Sequence, residues 1–74
     1  MKMSDAIQLV RLYGPGTNAE IAHAAKVTPS DLYRGIDPAI RRGLLRWHEG
    51  MYMLTNAGRN RVRQGKGLFA REQT

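Results

Sequence analysis

Two helix starts lie eleven residues apart in this chain, and they leave room for little but two short helices joined by a tight turn. Thr17 is followed three residues on by Glu20. That spacing lets the threonine hydroxyl and the glutamate carboxylate satisfy two of the amides that a helix start leaves unpaired. Thr28-Pro29-Ser30-Asp31 signals a second start. Thr28 suits the capping position, Pro29 the first helical residue, and Asp31 stands where the acid of a capping box stands. Between them runs NAEIAHAAK, alanine-rich and about two turns long. Ile21 and Ala25 share one face of it, and the small alanines permit close packing. His23 lies off that face with no second ligand at metal spacing, so it reads as an ordinary exposed histidine.

A further helix precedes this pair. Ser4 is placed to cap it, with Asp5 in the first turn where the helix dipole favours an acid. Ile7, Val10 and Tyr13 recur at helical spacing beside Ala6 and Leu9, and Gly14-Pro15-Gly16 ends the run. The helix that starts at Pro29 contains Gly35 and Pro38. Proline lacks the ladder amide and crowds the carbonyl four residues back, so a kink or break is expected near Ile36-Asp37, with Asp37 capping a second piece. Leu32, Ile36 and Ile40 would still share a buried stripe, and Gly43 ends the element.

The stretch LLRWHEGMYML then reads as a β-hairpin. A two-residue Glu49-Gly50 loop pairs His48 with Met51, Trp47 with Tyr52, Arg46 with Met53, and Leu45 with Leu54. Alternation then gathers Leu45, Trp47, Tyr52 and Leu54 on one face, and a one-residue slip would scramble it. A three-residue loop with a bulge is the alternative, because glutamate is not an ideal residue for a primed turn. Trp47 and Tyr52 read better as a cross-strand pair over the core than as a base-stacking platform, since both leucines share their face. Thr55 caps a last helix from Asn56 to about Gln64, with Gly58 and Val62 turned inward and Arg59 and Arg63 on one edge.

The chain has 74 residues, which allows one domain over 1–64 and a loose basic tail over 65–74. A domain of this size buries only about 60% of its unfolded surface. No cysteine is available to staple it. Charge is strongly one-sided. Through Ile40 the basic and acidic residues cancel, and the whole net charge of +6 lies from Arg41 onward. That imbalance favours an anionic polymer as partner. No run of apolar residues suggests a membrane span or a secretory leader, which points to a cytoplasmic, nucleoid-associated protein.

The order of elements is helix, helix, tight turn, helix, hairpin, helix: mainly α with a small β-hairpin, an α+β arrangement. It resembles the winged helix-turn-helix domains of bacterial, archaeal and phage transcription regulators. Three stretches carry the resemblance. TNAEIAHAAKVTPSDLYRGI is similar to the family's paired helices, IRRGLLRW to its exit into the first wing strand, and YMLTNAGR to its closing strand with Y-x-L-T-x-x-G-R. Lys26 stands where the family often has glycine, and the Gly35…Pro38 interruption departs from a straight recognition helix. The resemblance implies a three-helix core, a two-stranded wing, a short C-terminal helix, and sequence-specific binding of double-stranded DNA by a small transcriptional regulator.

In that reading Ser30, Tyr33 and Arg34 enter the major groove, with Arg34 able to reach guanine O6 and N7. Asp31 could accept from a cytosine amine, but capping is the better assignment. Arg41, Arg42 and Arg46 face the DNA backbone, and Arg59, Arg61, Arg63 and Lys66 flanking phosphates. A homodimer would lengthen the site. The alternative is a winged-helix protein-interaction module that docks or self-associates through the wing, where Met51 and Met53 offer an adaptable surface. No catalytic, metal-ligand or phosphate-loop pattern is present, so neither an enzyme nor a cofactor or small-molecule ligand is expected.

Overall fold

The structure, a computed structural model, describes residues 1–63; the expected tail and Lys66 lie outside the described residues. The elements are α1 (Met3–Tyr13), α2 (Asn18–Ala25), α3 (Pro29–Arg41), β1 (Leu45–His48), β2 (Met51–Leu54) and α4 (Asn56–Arg63). The expected combination of helices with one antiparallel hairpin is present.

Helix α1 runs through the centre. Asp5, Ala6, Ile7, Gln8, Leu9 and Val10 are all buried, a run of six that leaves this part of the helix no solvent face. A helix buried all round is packed on several sides, and α1 meets α2, α3, β2 and α4. The single apolar stripe expected from the sequence is therefore corrected: Tyr13, placed on it, is exposed, while Gln8 is fully buried. The helix also starts one residue before the expected cap. Lys2 takes the cap position without a side-chain bond, and Ser4 lies within the first turn. The Ala6 amide closes that turn onto the Lys2 carbonyl at 3.1 Å.

The other helix starts follow local chemistry. Thr17 accepts from the Glu20 amide while the Glu20 carboxylate takes the Thr17 amide, a complete capping box. Thr28 accepts from the Asp31 amide at 3.2 Å, with Pro29 as the first helical residue. Helices α2 and α3 both end in the same way. Lys26 (φ 59°) lets Val27 reach back to the Ala22 carbonyl, and Gly43 (φ 73°) lets Leu44 reach back to Ala39. Each is a left-handed cap that satisfies late carbonyls of its helix.

Helix α3 is not broken. It continues as one helix through Gly35 and Pro38 to Arg41, which corrects the break that was one of the two expected outcomes there. Gly35 is there for close packing: a Cβ on it would lie 2.7 Å from the Ala6 Cβ and 3.0 Å from the Lys2 carbonyl. Pro38 has no amide to donate to the Arg34 carbonyl, so the ladder loses one bond there. Leu32 and Ile36 before the proline and Ala39 after it are all fully buried, which holds both halves to one core. Asp37 caps nothing; its carboxylate pairs with Arg41 at 2.9 Å.

The hairpin has the expected register, Leu45↔Leu54 through His48↔Met51. Glu49 (φ 52°) and Gly50 (φ 81°) both adopt positive φ, as a two-residue primed turn requires. The Tyr52 amide also donates to the Gly16 carbonyl at 2.8 Å, so the loop between α1 and α2 adds one bridge to β2. Thr55 joins the parts behind the hairpin. Its hydroxyl lies 2.6 Å from the Gly43 carbonyl and accepts from the Gly58 amide at 3.0 Å. Gly58 is buried against the Leu44 carbonyl, so α4 starts in contact with the exit from α3.

Candidate nucleic-acid interface

Leu32, Gly35, Ile36 and Ala39 turn α3 inward toward the core. With 3.6 residues per turn, Ser30, Tyr33, Arg34, Asp37 and Arg41 must then form one stripe on the opposite side. Ser30, Tyr33, Arg34 and Arg41 are exposed, and Asp37 is half-buried. Three of the expected contact residues of the first turns, Ser30, Tyr33 and Arg34, are thus brought together.

The charges on this stripe are not equivalent. Arg34 meets no carboxylate among the described residues. Arg41 is engaged by Asp37, one turn back. Arg42, also exposed, lies with its Nη1 3.8 Å from the Met3 sulfur. Asp31 does not act as the acid of a capping box, as its position suggested. Its carboxylate instead takes the α-amino group of Met1 at 2.8 Å, so a cation lies beside its charge.

The hairpin is tied to the start of α3. The Tyr52 hydroxyl donates to the Asn18 Oδ1 at 3.2 Å, and the Asn18 Nδ2 donates to the Pro29 carbonyl at 3.0 Å. Burial, and then repulsion from the charge Tyr33 carries when ionised, push the Tyr52 phenol above its ordinary pKa. Asn18 was not legible as a positioning residue; it follows a cap and carries no motif.

Arg46 is exposed on the hairpin face opposite Tyr52. Trp47 corrects an expectation. It shares a face with buried Leu45 and with its cross-strand partner Tyr52, which the Gly16 bridge and Asn18 engage, but is itself 60% exposed. Met53 on the other face is exposed and Met51 half-buried.

Helix α4 packs against α1 and β2. Arg59 and Arg63 are exposed there, whereas Arg61 is half-buried with its Nε unpartnered among the described residues. The arginines expected at the interface thus stand in two groups along the chain, one on or next to α3 and on the hairpin and one on α4.

Beside this second group lies a cleft of about 270 Å³, lined by Val10, Pro15, Met53 and Leu54 together with Arg11 and Arg59. Fully buried Gln8 accepts from the Arg11 Nε at 3.1 Å, and its own Nε2 has no partner among the described residues. Leaving a buried donor unpaired costs about 1–3 kcal/mol. Neither the cleft nor this bond was visible in the sequence.

Among the described residues no cluster of three His, Cys, Asp or Glu side chains could hold a metal ion, and no helix is long and apolar enough to cross a membrane. No family model, curated protein or solved structure matches the chain.

Proposed function

We propose that this chain is a winged-helix domain that binds double-stranded DNA in a sequence-specific manner, as a small transcriptional regulator does. The observation that carries this reading is the outward stripe of α3, where Arg34 stands exposed and without a carboxylate partner among the described residues, beside Ser30 and Tyr33. In a helix-turn-helix the first turns of the second helix enter the major groove. Arg34 would read guanine O6 and N7 through two parallel hydrogen bonds, worth about 1–3 kcal/mol of discrimination. Ser30 and Tyr33 would hold a base edge or phosphate. Arg42 and Arg46 would take backbone phosphates, and Arg41 would join them by exchanging Asp37 for a phosphate. Arg59, Arg61 and Arg63 act differently in this scheme. Placed on α4 with α1 and β2, they add to the positive field that draws DNA in. Pairing of two copies on adjacent half-sites would extend the sequence read.

The test is fluorescence anisotropy of labelled duplex DNA across a salt series. Neutralising about four to six phosphates predicts a log–log slope near −4 to −5. A selected duplex should lose affinity with Arg34→Ala and lose its preference at one base pair. Absence of duplex binding at low salt would overturn the reading.

A further inference from the structure

The cleft between the end of α1, strand β2 and α4 combines an apolar floor with two arginines that meet no carboxylate among the described residues. We propose that this cleft docks a segment of a partner protein that presents one large apolar side chain flanked by aspartate or glutamate. The volume, about 270 Å³, falls below the usual range for sites that enclose a cofactor or drug-sized ligand, about 300–1,000 Å³, and suits a single side chain.

Three features make this more than a surface hollow. The first is the orientation of Arg11. Its Nε is engaged by Gln8, a residue with no exposed surface whose amide nitrogen is otherwise unpartnered among the described residues. That bond restrains the guanidinium at Nε, while its terminal nitrogens make no hydrogen bond among the described residues and are free to take a carboxylate. The second is the floor. Met53 is partly exposed, and an unbranched thioether can repack around side chains of different shape. The third is charge. Arg11 and Arg59 both line the cleft, and the chain carries +6, so a second copy would bring like charge to it while an acidic segment brings the complement. The α3 stripe takes no part, so the proposal does not rest on the DNA reading, with which it shares only Arg59.

The experiment is selection of random peptides displayed on phage against the full chain. Selected peptides are then measured by fluorescence anisotropy on the wild type, Arg11→Ala, Arg59→Glu and Arg34→Ala, with circular dichroism confirming the fold of each. The expected result is enrichment of an apolar residue among acids. Their affinity should fall by about tenfold or more when Arg11→Ala and Arg59→Glu are combined, and should be unchanged in Arg34→Ala. Arg59 is exposed, so Arg59→Glu keeps the test open if Arg11→Ala fails to fold. Enrichment without acids, or binding that survives both arginine changes, overturns the proposal. So does sedimentation that shows a dimer dispersed by Met53→Ser, which would make the cleft an interface between copies.

Discussion

The Tyr52 hydroxyl donates to the side-chain oxygen of Asn18 across 34 residues of sequence, and through Asn18 the hairpin holds the first carbonyl of α3. The bond length is 3.2 Å and its setting is partly buried, so its loss leaves a polar group short of a partner rather than returned to water.

Tyr52→Phe should therefore cost about 1 kcal/mol, and Asn18→Ala more, because it removes both bonds of the bridge. In a domain of this size about 1 kcal/mol lowers the melting temperature by roughly 4–8 °C. Thermal unfolding of the two variants checks the order; equal stability of all three proteins would show that the bridge holds nothing.

Stability should respond to pH at two ends. The Glu20 carboxylate accepts first from the Thr17 amide and also interacts with the Thr17 hydroxyl, which holds its pKa below the ordinary 4.5. A depressed acid contributes stability that is present above 4.5 and lost as pH falls through the folded value. Glu20→Gln keeps a capping side chain and should flatten that acid limb. Tyr52 is shifted the other way, mainly by burial, so its contribution is complete below 10.0 and lost as pH rises through the folded value. Denaturant midpoints measured across pH for the wild type, Glu20→Gln and Tyr52→Phe test both limbs.

Gly35→Ala sets two effects against each other. Alanine is the better helix former by about 1 kcal/mol. Its Cβ would press on Ala6 and on the Lys2 backbone, at 2.7 and 3.0 Å, and overpacking of that kind costs about 1–3 kcal/mol. Packing should win, with net destabilisation in urea unfolding; a more stable variant would mean that α1 and α3 are not in close contact there.

Pro38→Ala should have the opposite sign. In a continuous α3 the new amide can reach the Arg34 carbonyl, and the crowding of the ring is removed. The gain should stay below the roughly 3 kcal/mol that separates proline from alanine in a helix interior, because Pro38 is half-buried and its ring contacts are lost. No change, or destabilisation, would indicate a helix that restarts at Pro38.

Of the candidate interface, the exposed group Ser30, Tyr33 and Arg34 was legible because spacings of three and four residues set a helix face. The engagement of Arg41 by Asp37 was legible in principle for the same reason. The half-burial of Arg61 was not, nor the position of α4 against α1, nor the bond from Gln8 that orients Arg11.

What the amino-acid order determined by itself is the local grammar. Thr17 and Thr28 started their helices, Gly43 ended α3, and the alternation around Glu49-Gly50 set the hairpin register. Each of these depends on groups within a few residues of one another, so distance along the chain stands in for distance in space. Tertiary structure decided the rest. Gly35 reads as a helix breaker until Ala6, 29 positions away, is packed against it. Gln8 reads as a surface residue until α1 is enclosed on all sides, and Pro38 as a break until one core holds both halves of α3. Burial is settled by which elements meet, and no short window of sequence contains that information.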